Sequence, residues 1–183
     1  MGSTNEIWKL DPIEKAFSLL LFPAGSLPPP PQHECTVARL GSETAFVLCV
    51  HGRTPYALSP FLYRLDMRTL RWSEIGNADL SYSILGHSLS VISPSQLLLV
   101  GGDDFDKVLV FDADNSSWTV AQHLPAEIGD VYRHRAVEVW KDGRVAKVVC
   151  LGGWNSVPDP ERPTAIRVKH TARQRGICVP QMV

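Results

Sequence analysis

The chain has 183 residues, of which 44% are hydrophobic and 20% are charged, and its formal net charge is -1. This composition is typical of a globular protein, and the near-zero charge gives no bias toward nucleic acid or acidic membranes. No apolar run approaches the ~20 residues of a membrane-spanning helix, and the N-terminal MGSTNEIWKL lacks a signal-peptide core. These features favour a cytoplasmic protein, with the nucleus as the alternative location. No membrane partner is expected, and nucleic acid is not the favoured ligand.

The first predicted element is a hairpin within residues 6–22, around the sequence WKLDPIEKAF. Asp11 follows an apolar residue, and its carboxylate can accept hydrogen bonds from the backbone just after it, which starts a tight turn. A large aromatic residue, Phe17, comes six residues later and opens the next strand.

Residues 33–76 are predicted to form four strands. CTVARL alternates in polarity, which is typical of a strand with one wetter face, whereas AFVLCV is a continuous apolar run that suits a strand buried on both faces. FLYRLD and RWSEIG follow, joined by a second turn with Asp66 and Trp72 in the same six-residue relation.

The same order of strands recurs within residues 86–122 as SLSVIS, QLLLV, KVLVFD and SWTVAQ, with Asp112 and Trp118 at the turn. Residues 134–154 repeat the first two strands as AVEVW and AKVVCL. The pattern then fades: AIRV is strand-like, but Lys169 stands where the aspartate is expected. From Arg162 onward there are five Lys or Arg and no acidic residue. This favours a solvated tail over a degenerate outer half-unit or unrelated sequence. A basic nucleic-acid-binding arm is a further alternative, but the segment lacks the interleaved aromatic residues typical of one.

Two further landmarks recur with the turns. Gly52, Gly102 and Gly153 each end an apolar run at spacings of 50 and 51 residues, and three histidines that begin alternating segments lie 54 and 47 residues apart. Three landmarks in a constant order indicate an internal repeat of about 50 residues. The positions with expected structural roles are Gly52, Gly101, Gly102, Gly152, Gly153, Asp11, Asp66, Asp112, Phe17, Trp72, Trp118, His33, His87 and His134.

This unit resembles the kelch repeat, which forms one blade of a β-propeller. The resemblance rests on VGG followed by VFDADNSSW, on VHG followed by RLDMRTLRW with His51 in place of a glycine, and on LGG. It covers nearly all of residues 5–160 and implies an all-β chain of about three and a half four-stranded antiparallel blades, with approximate bounds 5–22, 33–76, 86–122 and 134–154 onward. Residues 161–183 would form the degenerate half-blade or tail.

An incomplete propeller exposes strand edges and part of its core, whereas propellers typically have 4–8 blades. The chain is therefore expected to be part of a longer protein, to pair with a second copy, or to associate with another propeller-forming subunit. The first alternative is the favoured one.

Candidate binding residues follow the glycines, because the resemblance implies that these loops share one face. The candidates are Arg53, Tyr56, Ser59, Asp103, Asp104, Asp106, Trp154 and Asn155. In kelch proteins that bind acidic peptides, an arginine commonly follows the glycines, and its guanidinium takes a carboxylate in bidentate fashion. Three aspartates could also ligate Ca²⁺, but the loop is too short, so a solvated turn is preferred and no metal is expected.

Catalytic residues and cofactors are not expected. The repeated histidines are related by rotation in a propeller, which keeps them from sharing one ion, and a role in packing between blades is favoured. Ser88 and His87 are neighbours in one strand and point to opposite faces. No nucleophile-elbow, P-loop or dinucleotide motif is present.

Four scattered cysteines, Cys35, Cys49, Cys150 and Cys178, form no metal-binding pattern. Three of them lie in apolar or alternating segments, so buried reduced thiols are preferred to disulfides.

The favoured function is a non-catalytic module that recognises a protein or peptide as part of a larger protein or assembly. An alternative rests on a looser resemblance of VLCVHGRTPYALSPFLYRLD to the kelch half of tRNA wybutosine-synthesising carboxyl methyltransferases, whose catalytic domain would lie outside this chain. The sequence departs from that family at Thr54–Tyr56. A truncated propeller without independent activity is the third alternative.

Overall fold

The computed structural model of the chain describes residues 8–26, 34–51, 59–77, 84–103, 105–126, 130–142, 144–159, 162–170 and 175–177. The prediction of an all-β chain is confirmed, because these residues form several antiparallel sheets, none of which is closed. The described ranges hold no helix that is long and apolar enough to cross a membrane.

Sheet 1 is a hairpin of β1 (Trp8–Asp11) and β2 (Ala16–Leu19). Sheet 2 contains four consecutive strands, and its order in space is the order in the chain. These strands are β3 (Glu34–Leu40), β4 (Thr44–His51), β5 (Ser59–Asp66) and β6 (Arg71–Asn77).

Sheet 3 repeats the arrangement of sheet 2, with four consecutive strands in chain order. Its strands are β7 (Ser88–Ser93), β8 (Gln96–Val100), β9 (Lys107–Asp112) and β10 (Ser117–His123). The short apolar strand β8 lies between β7 and β9, so its backbone is paired on both sides. Both faces of β8 are also covered, since Leu97 and Leu99 lie in one apolar core and Leu98 and Val100 in another. Burial of both faces explains why the sequence of β8 is a continuous apolar run rather than an alternating one.

The remaining strands are β11 (Asp130–Tyr132), β12 (Arg135–Lys141), β13 (Arg144–Leu151), β14 (Trp154–Asp159), β15 (Arg162–His170) and β16 (Arg175–Ile177). Sheet 4 has the order β12-β13-β16, and sheet 5 has the order β11-β14-β15. Residues 162–170 and 175–177 lie in the basic segment for which a half-blade or a solvated tail was expected, and the structure forms strands there.

The three aspartate turns have the same geometry in sheets 1, 2 and 3. In each, one carboxylate oxygen accepts backbone N–H groups two and three residues ahead, as Asp66 Oδ1 does from Arg68 at 2.9 Å and from Thr69 at 2.8 Å. Asp11 and Asp112 make the equivalent bonds. The fourth residue after each aspartate has a positive φ, and each aspartate lies opposite the first residue of the following strand. The sequence repeat is thus also a repeat of turn structure.

Sheet 3 packs against sheet 2 on one face and against sheet 4 on the other, through alternating residues of β8. Leu97 and Leu99 point toward sheet 2 and share a core with Phe46 and Leu48. Leu98 and Val100 point the other way and pack against residues of sheet 4 such as Val148. This two-sided burial follows from the two-residue period of a strand, and it places sheet 3 between two apolar cores.

The Gly101–Gly102 pair lies where β8 leaves sheet 3 and approaches neighbouring backbone. Gly101 has φ 62°, and a Cβ there would collide with the carbonyl oxygen of Val131. Gly102 has φ 135°, and a Cβ would lie 2.6 Å from Cα of Ile84. Glycine is required at both positions because any side chain would strain the backbone and displace the adjoining segment.

The expectation of reduced thiols is wrong for two cysteines. Cys35 and Cys49 lie directly opposite each other in β3 and β4 and form a disulfide. Their segments correctly indicated strands, but the pairing register, which brings the two Cα atoms to 4.1 Å, is not visible in either segment alone. Cys150 is a buried free thiol, and burial raises its pKa to about 12.

Candidate functional site: the loop edge of sheets 3 and 4

Several predicted binding residues lie outside the described residues or have only their backbone described. Arg53, Tyr56 and Asp104 belong to the first group, together with most of the loop that carries the methyltransferase resemblance. Ser59 pairs with His51 at the start of β5. Trp154 and Asn155 pair in register with Tyr132 and Val131 of β11.

The loop after β8 is held by backbone hydrogen bonds to two other segments. The Gly102 amide donates to Val131 O at 2.8 Å, and the Asp103 amide donates to Leu85 O at 2.8 Å. Phe105 is only 1% exposed, and its amide donates to Gly102 O at 3.2 Å. The loop is therefore anchored by its backbone and by one buried ring.

The segments that precede β7 and β12 meet at the same place. The Arg133 amide donates to Gly86 O at 2.7 Å, and the Gly86 amide donates to a carboxylate oxygen of Glu34 in sheet 2 at 2.6 Å. We call this region the loop edge and define it as residues 84–87, 101–103, 105–106 and 131–135. It joins the loops of sheet 3 to β11 of sheet 5 and to the segment that leads into sheet 4, and it contacts sheet 2 through Glu34.

Charged side chains of both signs surround the loop edge. Arg133 and Arg135 are exposed, and one guanidinium nitrogen of Arg135 donates to His134 O at 3.2 Å. Asp106 Oδ2 lies 3.2 Å from His123 Nδ1, and both side chains are more than half exposed. Water competes for both exposed side chains, so their contact contributes little to stability and leaves both groups accessible to a ligand.

The two arginines and His123 were missed as candidates from the sequence. A signal for Arg133 and Arg135 was present, because they flank His134, one of the repeated histidines. No sequence signal marks His123, since its proximity to Asp106 depends on the pairing of β9 with β10.

His87 and His134 connect successive sheets. His87 Nδ1 lies 2.7 Å from Ile84 O, so this nitrogen carries the proton, and Nε2 accepts from the Thr36 hydroxyl of sheet 2 at 2.6 Å. His134 Nε2 shares a 2.7 Å hydrogen bond with the Ser88 hydroxyl of sheet 3. His33 lies outside the described residues.

Burial makes the charged form of both imidazoles unfavourable. It lowers the pKa of His87, and it lowers the pKa of His134 to about 4, helped by the nearby His87 and Arg135. Both rings are therefore neutral near pH 7. Ser88 does contact a histidine, but that histidine is His134, from the segment before sheet 4, and both side chains are buried.

The described residues include no group of three His, Cys, Asp or Glu side chains placed to hold a metal ion. A comparison of the sequence with models of protein families matches none of them. A search of curated proteins likewise finds no match. The chemistry of the loop edge must therefore be judged from its own geometry.

Proposed function

We propose that the chain is a kelch-type propeller module without catalytic activity, and that its loop edge binds a protein or peptide. The propeller interpretation is supported by two consecutive four-stranded sheets with the same strand order, by the threefold aspartate turn and by glycine pairs at the ends of β8 and β13. Successive sheets that pack through opposite faces are the arrangement of propeller blades.

The observation that carries the binding proposal is the backbone anchoring of the loop edge. The Asp103 amide joins the two loops of sheet 3, and the amides of Gly102 and Arg133 fix these loops to β11 and to the segment before β12. A ligand would therefore meet a surface that needs little ordering on binding. Preorganisation of this kind lowers the entropic cost of association. The exposed Arg133, Arg135 and Asp106 can then supply charge-assisted hydrogen bonds.

A displayed library of random peptides, selected on the purified chain, tests this proposal. We expect enriched peptides to carry acidic residues that meet Arg133 and Arg135, and the R133A and R135A variants to weaken their binding by at least about tenfold. Lys141→Ala is the matched control, because Lys141 is an exposed cation at the far end of β12 from Arg135. Peptides that bind the K141A variant weakly and the arginine variants normally would contradict the assignment.

A further inference from the structure

The hairpin of sheet 1 has a bare apolar face. Trp8 lies opposite Leu19, and Leu10 lies opposite Phe17, so the four side chains share one face of the hairpin. They are 42–68% exposed. Four adjacent large apolar side chains in contact with water are costly for a folded protein, and such a patch commonly marks an interface.

The equivalent positions in the complete sheets are buried. Counting from the turn aspartates, Trp8 and Leu10 correspond to Leu109 and Phe111 in sheet 3. These two are 3% and 1% exposed, because they face sheet 2. The hairpin therefore presents the face that sheet 3 turns toward the sheet before it. We call this face, together with the 62% exposed Val37 of β3, the leading end.

Sheet 4 has the complementary free face. Val137 lies opposite Val149, and Leu151 shares their side of the sheet, whereas Val148 and Cys150 point the other way into the core shared with sheet 3. Val137 and Leu151 are 48% and 37% exposed. We call this face of β12 and β13 the trailing end.

The trailing end also corresponds to a face that is buried elsewhere. The equivalents of Val149 and Leu151 in sheet 3 are Leu98 and Val100, both 0% exposed where they meet sheet 4. The contact of one sheet's trailing face with the next sheet's leading face thus occurs twice within the chain. A third contact of the same kind, between copies, would continue an interface that the fold already uses.

We propose that the chain associates head to tail with a second copy of itself, the leading end of each copy packing against the trailing end of the other. In this arrangement the apolar face of β1 and β2 in one copy covers Val137 and Leu151 in the other. Because each copy has one leading and one trailing end, two copies close a ring with neither end left free. The proposal concerns assembly and does not depend on peptide binding at the loop edge.

Sedimentation equilibrium of the full chain tests the proposal. We expect the wild type to be a dimer. The control variant I13K should leave the dimer dissociation constant unchanged, because Ile13 is exposed in the turn outside the apolar face. Leu10→Lys at the leading end and Val137→Lys at the trailing end should each raise the dimer dissociation constant at least about tenfold, because a charge is placed in an apolar contact.

Mixing the two lysine variants is the decisive measurement. Each variant keeps the end that the other has lost, so an equimolar mixture should form a one-to-one complex through one intact interface. Cooperative urea unfolding of every variant shows that each is folded. A wild type that stays monomeric at tens of micromolar while unfolding cooperatively would overturn the proposal. So would a dimer that both lysine variants leave intact, or a mixture that does not associate.

Discussion

At the scale of single residues, the buried His87 and His134 connect neighbouring sheets by hydrogen bonds. Their burial makes the stability of the fold depend on pH. His134 is 0% exposed, its Nδ1 has no hydrogen-bond partner among the described residues, and burial lowers its pKa to about 4. In the unfolded chain the same imidazole titrates near its ordinary value of 6.5. Between these values the unfolded state binds a proton that the folded state rejects.

The free energy of unfolding is therefore expected to be highest above about pH 6.5 and to fall as the pH drops toward 4. The shift of His134 corresponds to roughly 3 kcal/mol, and the lowered pKa of His87 acts in the same direction. Urea unfolding from about pH 7 to about pH 4 measures the slope. His134→Gln should flatten this slope, whereas V120A, which changes an uncharged side chain at a 55% exposed site, should leave it unchanged; equal slopes in all three proteins would contradict the assignment.

At the scale of elements, the disulfide between Cys35 and Cys49 locks the register of β3 against β4. The expected cytoplasmic location came from the lack of a signal-peptide core and of a membrane span, and the disulfide argues against it because disulfides are rare in the cytosol. The linked residues are 14 apart in sequence. A loop of that length restricts the unfolded chain enough to stabilise the fold by about 3 kcal/mol.

Peptide mapping without reductant is expected to recover residues 35 and 49 in one linked peptide pair. Reduction should then lower the free energy of unfolding by about 3 kcal/mol. Cys150 is an internal reference, because its buried thiol has a pKa of about 12 and should resist alkylation in the folded protein. Alkylation of both Cys35 and Cys49 in the native protein before reduction would show that the disulfide is absent.

The elements that the sequence predicted well are those determined by residues close to one another in the chain. The turn aspartates and their aromatic partners lie within seven residues, and the alternation of SLSVIS or the apolar run QLLLV reports directly on burial. The Cys35–Cys49 pairing, the His123–Asp106 contact and the return of β16 to β13 depend on register between strands. Register is set by tertiary packing and cannot be obtained from one segment at a time.

At the scale of the whole molecule, sheet 3 couples the two apolar cores. Leu98 and Leu99 are consecutive and both 0% exposed, yet they belong to different cores. Loss of either side chain should therefore destabilise the same cooperative unit, since sheet 3 cannot lose its packing on one face and keep its full stability on the other.

We expect Leu98→Ala and Leu99→Ala each to lower the free energy of unfolding by about 2–5 kcal/mol. Circular dichroism and tryptophan fluorescence should still report one coincident transition. Val120→Ala, at a 55% exposed site on β10, should change stability by less than about 0.5 kcal/mol. Separate transitions for the two probes in either leucine variant would show that the cores unfold independently.

The order of the hydrogen bonds between sheets has a consequence for folding during synthesis. His87 reaches back to Thr36, and His134 reaches back to Ser88, so each sheet is fastened to the one translated just before it. The chain is synthesised from its N-terminus, so each histidine leaves the ribosome after the residue to which it hydrogen bonds. Sheets 2 and 3 can thus dock before β12 and β13 are synthesised, and β16 is added to sheet 4 last.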